Sequence, residues 1–305
     1  MKLFKAIALM LCVHLGTSVS HAALIEKSLT HEGQKRIWWE YVPKKCMAEI
    51  CPLVLAFHGG MGRGDRLEEN IHMRTVAEKN DFVLIYPNGL DRNWNDGRPE
   101  VAPGIDDLGF IDKLLVAVKT DHKIDTQRIY ATGISNGALF SYRLACERSE
   151  VFAAIAPVAG HMGQLISKNC KPKVPVSIIN FVGTEDKIIP FQGGEVKGPF
   201  GFKKLGKVLS SDQSLQLWLE TDGCSKTPVV TGPMDNDPKD GTRVMIEKYP
   251  GCKSSAEIQR YVIEGGGHTW PGGDPNAGRL VGKVSKEVDA SMIIWKFFLD
   301  HPKTK

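Results

Sequence analysis

Apolar residues along this chain gather into short unbroken runs separated by polar and glycine-rich segments. Residues 52–57 read Pro-Leu-Val-Leu-Ala-Phe, and comparable runs lie at 82–86 and 152–158. Apolar-rich runs with a few polar residues lie at 128–134 and 174–182, and a last strand is expected over 257–263. A run of this length without polar alternation predicts a strand covered on both faces. Between the runs the spacing lengthens to the helical period. Leu108, Ile111, Leu114, Leu115 and Val118 mark one apolar helix face, and Val288, Ile294, Trp295 and Phe298 mark another within a helix expected over 285–299. Shorter helical stretches are expected over 71–79 and 211–219. Residues 24–30 and 37–42, parted by Glu32-Gly33, predict an opening antiparallel hairpin in which Trp38 and Trp39 serve sheet packing. Strands alternating with helices predict an α/β chain with a mostly parallel central sheet and helices on both faces. No Pro/Ser/Thr-rich linker and no internal repeat divides it, so a single domain is expected.

One stretch departs from the simple alternation. Residues 128–134 run straight into Gly133-Ile134-Ser135-Asn136-Gly137, and a helical pattern begins at once and continues through Ala145. Strand, Gly-x-Ser-x-Gly and helix together predict a tight turn that exposes the Ser135 hydroxyl at a helix N-terminus, where free N–H groups stabilise negative charge. The pattern occurs in ordinary loops too, and the flanking elements are what make Ser135 a candidate nucleophile. The first buried strand ends in His58-Gly59-Gly60-Met61, a loop in which glycines let backbone N–H groups approach a substrate oxygen. One oxyanion donor is expected from Gly60 or Met61 and the other from Asn136. His58 is expected to orient this loop and not to carry protons.

The remaining candidates are placed by the strands they come after. Glu185 and Asp186 come directly after the run at 174–182, the place for a carboxylate that orients a histidine. Asp186 is the choice and Glu185 the runner-up. The last strand, 257–263, delivers Gly265-Gly266-Gly267-His268, which puts His268 on a glycine-rich loop free to approach Ser135. Trp270 lies two residues further on. Trp94 sits in a long polar loop, and the two indoles are expected to wall a pocket for an acyl or aromatic group. Asp106 and Asp107 read as capping and helix-dipole residues before the helix at 108, and no third metal ligand is evident near them, so no metal is expected. The acidic segment 235–241 lacks the ligand spacing of a calcium loop and reads as a hairpin tip. The Gly/Lys-rich stretch 193–207 reads as either a flap or a surface loop.

Composition narrows the setting. Met1-Lys2-Leu3-Phe4-Lys5, an apolar core from Ala6 to Leu15 and a small-residue exit at Ala22 predict a secretory signal over 1–22, leaving a domain over 23–305. Loss of Lys2 and Lys5 lowers the formal charge from +4 to +2, which gives no reason to expect nucleic acid as a partner. No stretch approaches the ~20 apolar residues of a membrane span. Loss of Cys12 leaves Cys46, Cys51, Cys146, Cys170, Cys224 and Cys252, an even set bound for an oxidising compartment. Connectivity is open from sequence alone. Proximity favours Cys46–Cys51, Cys146–Cys170 and Cys224–Cys252. The absence of C-x-x-C spacing argues against zinc and thioredoxin-type chemistry.

Ser135, Asp186 and His268, each after an expected strand, keep the chain order of α/β-hydrolases. The sequence also resembles a narrower group, the secreted polyhydroxybutyrate depolymerase and feruloyl esterase family. The resemblance rests on Phe57-His58-Gly59-Gly60, Asp106-Asp107-Leu108-Gly109-Phe110-Ile111, Gly133-Ile134-Ser135-Asn136-Gly137-Ala138, residues 152–160, Gly183-Thr184-Glu185-Asp186 and Gly266-Gly267-His268-Thr269-Trp270-Pro271-Gly272. It implies an α/β-hydrolase fold and hydrolysis of carboxylic esters outside the cytoplasm by Ser135, His268 and Asp186, without a cofactor. It also supports the pairings Cys146–Cys170 and Cys224–Cys252. Polymer-degrading relatives often carry a linker and a separate binding domain, and neither is expected from this sequence, so small or oligomeric esters are expected to suit it at least as well as solid polymer. A peptidase or acyltransferase would keep the same residues with another acceptor, and a silent binding module would keep the fold alone. The presence of every catalytic part disfavours the last.

Overall fold

A computed structural model describes residues 24–198 and 204–303. The expected signal segment falls outside them. The chain opens with the hairpin of β1 (Ile25–His31) and β2 (Gln34–Tyr41), and continues through β3 (Cys51–Phe57), α1 (Gly64–Ile71), α2 (Met73–Asn80), β4 (Val83–Pro87) and α3 (Asp107–Asp121). Then come β5 (Ile124–Ile134), α4 (Asn136–Glu147), β6 (Ala154–Val158), α5 (Gln164–Asn169) and β7 (Ser177–Gly183). A small hairpin, β8 (Gly194–Lys197) and β9 (Lys204–Val208), leads to α6 (Ser211–Asp222), β10 (Val229–Met234), β11 (Arg243–Tyr249), β12 (Ile258–Glu264) and α7 (Ala290–Asp300).

Ten strands form one sheet in the order β1-β2-β4-β3-β5-β6-β7-β12-β11-β10. The middle of the sheet, β4 to β12, is parallel, and antiparallel hairpins extend it at both edges. The unbroken apolar runs correspond to these central strands because each strand feeds two cores. Leu53, Leu55 and Phe57 of β3 face a layer that contains α3, α4 and α6. Val54 and Ala56 of the same strand face α1, α2 and α7. Strand order reverses around β3 and β5, and in open α/β sheets the loops leaving the carboxyl ends of such strands enclose a crevice.

Several boundaries differ from the sequence expectation. The helix expected over 71–79 is α2, starting at Met73, and a further helix, α1, ends at Ile71 just before it, because His72 takes a left-handed conformation (φ 54°) between them. The last helix begins at Ala290 and not near 285, where Asp289 caps it by accepting the Met292 N–H at 3.1 Å. Residues 235–242 do connect a hairpin, β10 to β11. The stretch 193–207 supplies the β8–β9 hairpin. Three disulfides join Cys46 to Cys51, Cys146 to Cys170 and Cys224 to Cys252, the pairs that proximity favoured. Among the described residues no helix is long and apolar enough to cross a membrane.

The acidic pair before α3 splits its duties. Asp106 caps the helix through the Gly109 N–H at 2.9 Å, as expected. Asp107 is buried and pairs with Arg36 while also accepting the Asn95 N–H at 2.7 Å, so it anchors a loop instead of a helix end. The fold also brings His31 and Glu32 beside Asp106, with possible ligand atoms within 4.8 Å of one another. The sequence had shown no third group there, because His31 lies on the opening hairpin, 75 positions from Asp106.

Candidate active site

Strand β5 breaks at Ser135, whose backbone (φ 59°, ψ −123°) lies in a region that L-residues rarely adopt. The neighbouring glycines make the turn possible. A Cβ on Gly133 would come within 2.7 Å of the Gly137 carbonyl, and one on Gly137 within 2.3 Å of the Phe57 carbonyl oxygen. Helix α4 therefore starts hard against β3 and β5, with Ser135 at its N-cap position and partly open to the surface.

Three loops meet this turn. The loop after β7 holds Asp186, which is 6% exposed, with Oδ1 accepting N–H bonds from Ile188 and Ile189, both at 2.8 Å. Its Oδ2 lies 2.7 Å from His268 Nδ1. Glu185, the runner-up, is exposed and contributes only a backbone N–H to the Gly266 carbonyl. The loop after β12 carries His268, whose own N–H donates to the Val281 carbonyl at 2.8 Å. Ser135 and His268 both line one cavity of about 510 Å³, together with Gly60, Met61, Asn93, Arg98 and Asn136.

The third loop leaves the end of β3. His58 is buried, its Nδ1 2.8 Å from the Gly59 carbonyl and its Nε2 accepting the Gly89 N–H at 3.1 Å. Burial pushes its pKa down to about 4, so the ring is neutral at pH 7 and acts as a brace between two loops. Met61 and Gly60 both border the cavity, but they are not equivalent as donors. The Met61 N–H is spent on the Arg92 carbonyl at 2.8 Å, whereas among the described residues the Gly60 and Asn136 N–H groups have no backbone acceptor. The Asn136 side chain is committed elsewhere. It accepts the Trp94 N–H at 2.7 Å and donates to the Trp94 carbonyl at 2.9 Å and to Asp96 at 2.7 Å.

The two tryptophans expected to wall the pocket do not line it. Trp94 is fully buried, stacked on Phe140 with centroids 5.1 Å apart, and its Nε1 donates to the His58 carbonyl at 3.1 Å. Trp270 is 3% exposed and turns away from the cavity to donate to Ser291 Oγ at 3.1 Å, within the core beneath α7. Each indole finds a partner for its N–H and a packed surface for its ring in the scaffold behind the loops, which is the more favourable place for so large an apolar group. The walls are instead aliphatic: Val101, Ile134, Ile188, Ile189, Val196, Leu205 and Val281. Sequence reasoning missed these because they come from separate segments of the chain, and none of them carries a reactive group. The buried pair Asp96 and Arg98 was also missed, although their placement two residues apart in a Gly/Pro-rich loop was visible.

A parallel sheet with antiparallel edges, a strained serine between strand and helix, and an aspartate–histidine pair on later loops define the α/β-hydrolase class. Residues 37–170 match the family model described as esterase PHB depolymerase. The chain is similar to feruloyl esterase B of Piromyces equi, at 27% identity over 72% of this chain and 40% of that protein. It is also similar to the putative esterase NocK of Nocardia uniformis subsp. tsuyamanensis, at 25% identity over 81% of this chain and 74% of that one. Among solved structures, the acetyl xylan esterase from Aspergillus awamori superposes with a TM-score of 0.56 at 16% identity, covering 80% of this chain and 94% of that one, a likeness of fold. The fold is that of the α/β-hydrolases, and the match to the family model lies within the first half or so of the chain, over residues 37–170. It spans well under half the length of the Piromyces equi feruloyl esterase.

Proposed function

We propose that this protein is a serine esterase that cleaves carboxylic esters through an acyl-enzyme. The observation that carries this reading is the 2.7 Å contact of His268 Nδ1 with Asp186, on the margin of a cavity that Ser135 also lines. In the proposed reaction His268 Nε2 takes the proton of Ser135 as Oγ attacks the ester carbonyl. The N–H groups of Gly60 and Asn136 donate to the resulting oxyanion, a contribution of about 3–4 kcal/mol for each such donor. Collapse of this intermediate expels the alcohol, which leaves with the proton from His268. Water then gives its proton to the same ring and attacks the acyl-enzyme, and release of the acid restores Ser135. Asp186 keeps the Nδ1 proton in place throughout and stabilises the transient imidazolium.

Hydroxybutyrate-type oligomers are the favoured substrates, since the cavity wall is aliphatic and neither indole belongs to it. Feruloyl or acetyl esters of polysaccharides are the second reading, supported by what the similar proteins are named for. Secretion after removal of residues 1–22 fits the three disulfides, which persist in oxidising compartments. Labelling with a fluorophosphonate tests the mechanism: one adduct, on Ser135, is expected, and an adduct elsewhere would refute it. A panel of hydroxybutyrate oligomers, short aliphatic esters and feruloyl esters, compared by kcat/KM, decides between the two substrate readings.

A further inference from the structure

The apolar side of the cavity is closed by a piece of chain that does not belong to the main sheet. Val196 of β8 and Leu205 of β9 line it, and the hairpin rests on α4 through a small cluster of Leu139, Ile189, Val196 and Val208. One side chain ties this hairpin to the centre of the site. Arg98, 4% exposed, donates from Nη1 to the Leu205 carbonyl at 2.6 Å, while its Nε lies 3.0 and 3.1 Å from the two carboxylate oxygens of Asp96. Asp96, with no exposed surface, in turn accepts the Asn136 side-chain N–H at 2.7 Å. A buried chain of hydrogen bonds thus runs from the residue after Ser135 to the roof of the cavity. The backbone of β9 is shaped for this seat. Gly206 has φ +80°, and a Cβ there would lie 2.5 Å from Glu100 Oε2 and 3.2 Å from Arg98 Cδ.

We propose that Arg98 is a positioning residue that sets selectivity for the length of the substrate's aliphatic arm, by holding the β8–β9 hairpin over the cavity with Leu205 and Val196 turned into it. The proposal rests on the esterase reading of the site. A guanidinium suits the task because it offers a fork to Asp96 and a further N–H to Leu205 at once, whereas an ammonium is a single point charge. Arg98 borders the cavity, but its guanidinium is engaged by Asp96 and the Leu205 carbonyl. Its effect reaches substrate through Leu205, so it should separate long esters from short ones and not slow all esters equally.

The test compares native protein with Arg98→Lys, Gly206→Ala and Leu205→Ala on two ester series, nitrophenyl acetate against nitrophenyl hexanoate and ethyl acetate against hexyl acetate. Arg98→Lys keeps a cation beside buried Asp96, and Leu205→Ala leaves the polar chain intact, so a folding failure in one variant does not decide the matter. The long-to-short ratio of kcat/KM should fall about tenfold or more in one of the two series, consistent with loss of several methylene contacts. All three variants should show the loss in the same series. A ratio unchanged in both series, or equal losses for long and short esters, would overturn the proposal. Fluorophosphonate labelling of each variant keeps the two readings apart: labelling at Ser135 with an unchanged ratio refutes the role of Arg98 alone, whereas absent labelling in native protein refutes the esterase reading.

Discussion

Ser135, Asp186 and His268 stand on loops that leave the ends of β5, β7 and β12, strands of the same parallel sheet, whereas Val196 and Leu205 reach the cavity from a separate hairpin. The floor of the site is held by close backbone packing, with Gly137 and Phe57 so near that no Cβ fits between them. The roof is held by side chains: an aliphatic cluster and the guanidinium of Arg98. A backbone-packed floor cannot shift without disturbing the sheet, and that suits chemistry that needs sub-ångström placement. A roof seated on side chains can be remodelled residue by residue, and that suits selectivity.

Breaking the floor should have the largest effect. Ser135→Ala is expected to lower kcat on any ester by on the order of 10⁶-fold, and Asp186→Asn by about 10⁴-fold, with folding retained. Glu185→Gln should leave most of the rate, because Glu185 is exposed to solvent. Steady-state kinetics alongside circular dichroism checks all three, and a large loss in Glu185→Gln with little in Asp186→Asn would reverse the assignment of the carboxylate.

The tryptophans sharpen the comparison, since they belong to neither floor nor roof but to the scaffold behind. Trp94→Ala or Trp270→Ala should destabilise the fold by roughly 3–5 kcal/mol, the usual cost of emptying so large a buried site. The fraction of active protein should then fall alike for acetate and for longer esters. A chain-length-dependent loss without a lower melting temperature would return these indoles to the pocket wall.

A smaller effect should appear with pH. The buried rings of His58 and His161 are both held down to about 4, mainly by burial. Asp186, Arg260, Asp212 and His268 also act on His161. In the unfolded chain a histidine titrates near 6.5, so between about 6.5 and 4 the unfolded state binds more protons and stability falls as pH falls. The loss amounts to roughly 3 kcal/mol for each ring by pH 4. His161 Nδ1 has no hydrogen-bond partner among the described residues, so His161→Phe should fold and should flatten this part of the stability profile in denaturant titrations. A slope identical to that of the native protein would show that His161 stays charged when folded.

What the sequence determined by itself was local. Unbroken apolar runs named the central strands because a strand covered on both faces has no polar side to show. Gly133, Ser135 and Gly137 announced the turn because its backbone demands glycine at fixed offsets. Tertiary structure decided what depends on distant partners. It chose Asp186 over Glu185 for contact with His268 by pinning one carboxylate oxygen with the Ile188 and Ile189 N–H groups. Among the described residues it left the Gly60 N–H and not that of Met61 without a backbone acceptor, because Arg92 lies across the loop to claim the other N–H. It moved both tryptophans into the core, and it brought Arg98 and Leu205, 107 positions apart, into one hydrogen bond. Such contacts leave no periodic or spacing signal in the chain, since they are set by how loops from different strands pack and not by the residues next to them in sequence.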